Sequence, residues 1–60
     1  MNEYEVRLRW VGRGKKPAYT KTDYGFGTNP PIVLHAKNKR NAIKQLKLPK
    51  TVRIRKITKV

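Results

Sequence analysis

The sequence predicts a small α+β domain: an antiparallel β-sheet of three strands with room for a fourth, and one short α-helix packed on one face, in the order β-β-(β)-α-β. Three observations predict it. Residues 3 to 11 alternate apolar and polar with period two, as a half-buried strand does. Residues 38 to 48 carry apolar side chains at helical spacing behind a capping Asn. From Thr51 onward the period-two alternation returns.

In the first segment Tyr4, Val6, Leu8 and Trp10 fall on one side, with Glu3, Glu5, Arg7, Arg9 and Val11 on the other. After "GRGKKP", Gly12 to Pro17, the stretch Ala18 to Tyr24 is rich in Thr and Tyr and is expected to return as an antiparallel partner, with Tyr19, Lys21 and Asp23 sharing a face. Gly12 and Gly14 would then supply positive φ angles for the turn. Gly25 to Pro31 combines two glycines, an Asn and two prolines and reads as irregular, with Phe26 plugging the end of the core. Ile32 to Ala36 is apolar apart from His35 and reads as the optional short strand, with His35 at a sheet edge or the core rim.

Asn38 is the expected N-cap of a helix over about 39 to 47, which turns Ala42, Ile43 and Leu46 inward and stops before Pro49. In the last strand Val52 and Ile54 face inward and Arg53 and Arg55 outward, but Ile57 is out of phase. A bulge near Arg55 and Lys56 returns it to the core. The expected core is Val6, Leu8, Ala42, Ile43, Leu46, Val52, Ile54 and Ile57.

Sixty residues allow one domain, 1–60, and a chain of that size buries only about 60% of the surface its unfolded form exposes. With no cysteine, stability rests on packing and hydrogen bonds, a pattern that suits a reducing cytoplasm. The acidic start "MNEYE" and the lack of a long apolar run predict no export signal and no membrane span.

Enzyme chemistry is not expected. The chain has one His, one Asp, two Glu, no Cys and no Ser, so no nucleophile has an evident base, and His35 lacks companions for a metal site. No cofactor is implied. Glu3 and Glu5, on one strand face beside Arg7 and Arg9, are expected to make cross-strand or same-face ion pairs.

Charge points elsewhere. Sixteen Lys and Arg against three acids give a formal net charge of +13, spread along the whole chain. Such a body repels itself and attracts polyanions, since neutralising phosphates releases condensed counterions. The same repulsion favours a monomer at low salt.

Four groups of residues are candidates for contact. The loop "GRGKKP" lacks the spacing and the hydroxyl of a P-loop. Its Arg13-Gly14-Lys15-Lys16-Pro17 instead resembles an AT-hook, whose core is Arg-Gly-Arg-Pro. One extra residue separates Gly14 from Pro17, and a Lys replaces the second Arg. The resemblance implies a cation entering an A·T-rich minor groove, where the negative potential is enhanced. On the helix, Lys39 and Arg40 occupy the first turn, where the macrodipole penalises cations and favours phosphate, and Arg40, Lys44 and Lys47 form a stripe away from the core. On the sheet, Arg7, Arg9, Arg53 and Arg55 share the face opposite the helix if the first and last strands are neighbours, offering forks that match phosphate oxygens. Tyr19, beside Lys21 on the polar side of its strand, is the candidate for base stacking.

The expected function is therefore non-enzymatic nucleic-acid binding. Double-stranded DNA is favoured over RNA, phosphate contacts dominate, and the hook-like loop lies in the minor groove, with a cytoplasmic place on the nucleoid or the ribosome. The segment "HAKNKRNAIKQL" leading to "VRIRKITKV" is similar in pattern and charge to small basic ribosomal proteins of the archaeal LX type, which implies rRNA binding as the alternative. A second alternative is a small, virus-encoded protein that docks on and inhibits an acidic partner protein.

Overall fold

Alternation over Asn2–Trp10 builds a strand, β1, and this strand takes the centre of a three-stranded antiparallel sheet of order β2-β1-β3. The computed structural model describes residues 1–60, with α1 at Tyr19–Thr22, β2 at Ile32–Ala36, α2 at Lys39–Gln45 and β3 at Val52–Lys59. β1 pairs with β2 from Asn2↔Ala36 to Val6↔Ile32, and with β3 from Tyr4↔Lys59 to Trp10↔Val52. The small α+β architecture is thus the one expected, with the short 32–36 segment a full member of the sheet.

The expected hairpin does not form. Ala18 to Tyr24 makes a single helical turn, opened by Pro17, whose carbonyl accepts from both the Thr20 hydroxyl (2.8 Å) and the Thr20 N–H (3.2 Å). Proline presets the φ that a helix start needs. The deeper reason is competition for edges: β3 takes one side of β1 from Tyr4 to Trp10, and the other side goes to β2 as far as Val6 and to Gly25 and Phe26 at Leu8. Local Thr and Tyr propensity yields to that tertiary pairing. With the strand goes the expected common face of Tyr19, Lys21 and Asp23.

The core lies on one side of the sheet. Val6, Leu8, Phe26 and Val52 form one buried cluster, and Tyr4, Ala36 and Ala42 a second; Leu34 and Ile57 pack against both. Helix α2 covers the second cluster. It begins at Asn38, whose Oδ1 accepts from the Asn41 N–H at 2.9 Å, and it ends at Gln45, with Leu46 already extended. Ile43 is 41% exposed, against expectation. Ala42 is the buried residue of the helix, and Ile43 sits about 100° round the helix from it.

Two features shape the rest. The β1–β3 register shifts between Arg7 and Leu8: Arg7 opposes Lys56 and Leu8 opposes Ile54, leaving Arg55 as the unpaired residue of a bulge. This is the expected bulge, and it turns Ile57 inward opposite Val6. Beyond Val6, where Pro30 and Pro31 end β2, the edge of β1 is taken by Gly25 and Phe26: the Leu8 N–H donates to the Gly25 carbonyl at 2.7 Å. Gly25 has φ 92°, which strains any side chain, and a Cβ there would press on Leu8 Cγ at 3.1 Å. Phe26 is buried, as expected of a core plug.

Candidate nucleic-acid interface

The side of the sheet away from α2 carries no covering layer. Cross-strand partners share a face, so the register places Glu3 with His35, Glu5 with Val33 and Thr58, Arg7 with Lys56, and Arg9 with Arg53 on this bare side. The surface is polarised: acids at the β1 start, cations towards its end. Two successive rungs there, Arg7↔Lys56 and Arg9↔Arg53, set like charges directly opposite one another. Such pairs destabilise a sheet.

Of the expected cross-strand or same-face ion pairs of Glu3 and Glu5, the same-face pairs with Arg7 and Arg9 are absent. Residues two apart on a strand stand about 6.6–6.8 Å apart, whereas cross-strand neighbours are closer. Glu3 accordingly approaches His35, its rung partner on β2, with Oε1 3.9 Å from Nε2. No Lys or Arg of the chain comes within 4.0 Å of a carboxylate. The cations stand uncompensated by the protein itself.

Arg7 is partly committed. Its Nη1 donates to the carbonyls of Gly27 and Asn29, which binds the 25–31 loop to the sheet. Arg9, Arg53, Arg55 and Lys56 are exposed. Lys56 is absent from the sequence-derived candidates, yet it sits opposite Arg7 on the bare side. The spacing of Ile54 and Ile57 is the signal that finds it, because a bulge between two inward isoleucines leaves two consecutive residues outside.

The loop "GRGKKP" leaves the sheet beside β3, where the Val11 N–H donates to the Thr51 carbonyl at 2.6 Å. Arg13, Gly14, Lys15 and Lys16 are exposed beyond that point. Gly14 has φ 84°, as expected, but Gly12 does not adopt a positive φ. Its requirement is closeness: a Cβ there would lie 2.3 Å from Trp10 Cζ2. Trp10 is half-buried, packed on the edge of the first cluster.

The bend in this loop brings Lys16 back to the sheet. Arg9 of β1, Lys16 of the loop and Arg55 of the bulge line one depression of about 170 Å³, floored by Trp10, Thr20 and Phe26. Three of the sequence-derived candidates, distant in the chain, thus meet in one place. No carboxylate lines it.

Other candidates lie elsewhere. Helix α2 packs on the inner side of the sheet, so the exposed Lys39, Arg40 and Lys44 look away from the bare face. Lys47 falls outside the helix, which stops two residues earlier, so the expected three-residue stripe reduces to Arg40 and Lys44. The N-cap function at α2 is met by Asn38. Tyr19 is not on a strand: its ring meets Phe26 edge-on, centroids 5.6 Å apart and planes at 71°. This contact belongs to core packing and replaces the expected outward stacking surface. Lys21, on the same turn, is exposed.

A second concavity, of about 460 Å³, opens on the inner side between α1 and the approach to β3, lined mainly by Leu8, Tyr19, Tyr24, Phe26, Ile32 and Leu48. It is apolar and marks the part of the inner face that α2 is too short to cover. No group of three or more His, Asp or Glu is placed to hold a metal ion, and no helix is long and apolar enough to cross a membrane. No protein-family model, curated protein or solved structure matches the chain.

Proposed function

We propose that this protein is a non-enzymatic nucleic-acid-binding domain that lays the bare face of its sheet along phosphates, with duplex DNA as the ligand and the loop Arg13–Lys16 reaching into a groove. One observation carries the reading: two adjacent like-charge rungs on an uncovered sheet face, in a molecule where no Lys or Arg has a carboxylate partner. Repulsion of that kind is relieved by an anion that presents charge at regular intervals. Arginine forks suit phosphate oxygens. The longest dimension of the protein, 38 Å, is close to one turn of B-DNA, about 34–36 Å. The preference for DNA rests on the Arg-Gly and flanking lysines of the loop, which suit a narrow minor groove.

Fluorescence anisotropy tests it, with labelled AT-rich duplex, GC-rich duplex, single strand and structured RNA, each at 50 and 200 mM salt. Tight duplex binding that weakens steeply with salt is expected, with an AT preference that Arg13→Ala removes. Preference for structured RNA would move the protein to the ribosomal reading. Failure to bind any of the four in dilute buffer would end the proposal and leave an acidic protein as the partner.

A further inference from the structure

We infer that the depression between β1, the loop and the β3 bulge is a subsite for a single phosphate group, held by Arg9, Lys16 and Arg55 together. The residues come from three segments, and each is delivered by a separate structural device. Arg9 is set by its rung opposite Arg53. Arg55 is the bulge residue, free of a cross-strand partner, and bulges re-aim side chains in this way. Lys16 is brought back by the bend around Gly14, whose φ of 84° suits glycine.

Chemistry points to the ligand. Three cations face one space without a carboxylate among the lining residues, so the depression attracts anions and rejects cations. Two guanidinium forks and one ammonium match the tetrahedral oxygens of a phosphate. The phosphate belongs either to a strand's backbone or to its end. A terminal monoester carries about −1.5 to −2 charges and so satisfies three cations more fully than a diester.

The subsite rests on the nucleic-acid reading for the source of its phosphate, not for the anion it selects. Trp10 is the only tryptophan, which gives the site its own reporter. The full chain is titrated with inorganic phosphate and with pyrophosphate against chloride at matched ionic strength, following Trp10 emission. Saturable change with the phosphates and none with chloride is expected. Arg55→Ala and Lys16→Ala should each weaken it about tenfold. Lys59→Ala, opposite Tyr4 at the far end of β3, should leave it unchanged. Circular dichroism confirms that each variant is folded.

A parallel arm compares oligonucleotides with and without a 5′-phosphate. A gain on phosphorylation that is lost in Arg55→Ala assigns the site to strand ends, and equal binding that Arg55→Ala weakens assigns it to the backbone. A chloride response equal to that of phosphate, or equal losses from Lys59→Ala and Arg55→Ala, overturns the subsite. DNA binding that persists without saturable phosphate binding sinks the subsite alone. Saturable phosphate binding without affinity for DNA or RNA sinks the nucleic-acid reading alone.

Discussion

Replacing Arg53 by Gln should make the protein more stable and a poorer ligand for DNA at the same time. Arg53 stands opposite Arg9 with no acid within 4.0 Å of either. Like charges on one rung cost about 0.2–1 kcal/mol, so removing one guanidinium should raise the midpoint of thermal unfolding by about 2–4 °C if the gain is about 0.5 kcal/mol in a domain of this size. The gain should shrink in 1 M salt, where the Debye length falls to about 3 Å.

Binding should move the other way. If Arg9, Arg13, Lys15, Lys16, Arg53, Arg55 and Lys56 each neutralise one phosphate, log K falls with log salt at a slope of roughly −6.3, against roughly −5.4 for the variant. Between 50 and 200 mM that is a loss of about 3.8 log units against about 3.3. Thermal unfolding by circular dichroism and anisotropy titrations at four salt concentrations measure both quantities. A higher melting midpoint with an unchanged salt slope would show that nucleic acid does not lie on the bare face. A lower midpoint would show that the Arg9–Arg53 rung is not repulsive, and the electrostatic reasoning would go with it.

Gly12→Ala should destabilise by about 1–3 kcal/mol and shift Trp10 emission, because the new methyl occupies the indole's space. Gly14→Ala meets no atom within 4 Å and should cost only the positive-φ strain, about 1 kcal/mol, with Trp10 emission unchanged. Denaturant melts followed by Trp10 fluorescence separate the two. Asn38→Ala should cost about 0.5–2 kcal/mol through loss of the cap on the Asn41 N–H, with Asn38→Ser restoring most of it. Arg7→Ala should free the 25–31 loop by removing the donor to the Gly27 and Asn29 carbonyls. Faster hydrogen exchange at the Leu8 N–H, which bonds to Gly25, is the expected readout, with β1–β3 amides unaffected.

Much of the fold could be read from local pattern. The alternation of Tyr4, Val6 and Leu8 names the buried side of β1, and Asn38 names the start of α2. Even the bulge was legible, since Val52, Ile54 and Ile57 can share one face only if a residue is inserted. The candidate site was legible as a set of cations but not as an arrangement. Arg7, Arg9, Arg53 and Arg55 share a face in sequence only on the supposition that β1 and β3 are adjacent, and Lys56, exposed by the same bulge, lies outside that set. Of the two kinds of pair open to the acids, same-face pairs with Arg7 and Arg9 are absent and the one contact, Glu3 with His35, is cross-strand, because rung partners stand closer than residues two apart on a strand.

The segment 18–24 shows most clearly where local information stops. Its Thr and Tyr favour a strand, and the loop before it suggests a hairpin, but β3 holds one side of β1 and β2, followed by Gly25 and Phe26, holds the other. Period, caps, charge and turn residues are properties of a few consecutive residues, so composition and order alone settle them: a half-buried central strand, a capped helix, a large positive charge with little to offset it. Which strand lies beside β1, and therefore which cations share the depression at Arg9, Lys16 and Arg55, depends on contacts between residues tens of positions apart. Those contacts win or lose by the burial and hydrogen bonding of the whole sheet, and no short stretch of chain contains that comparison.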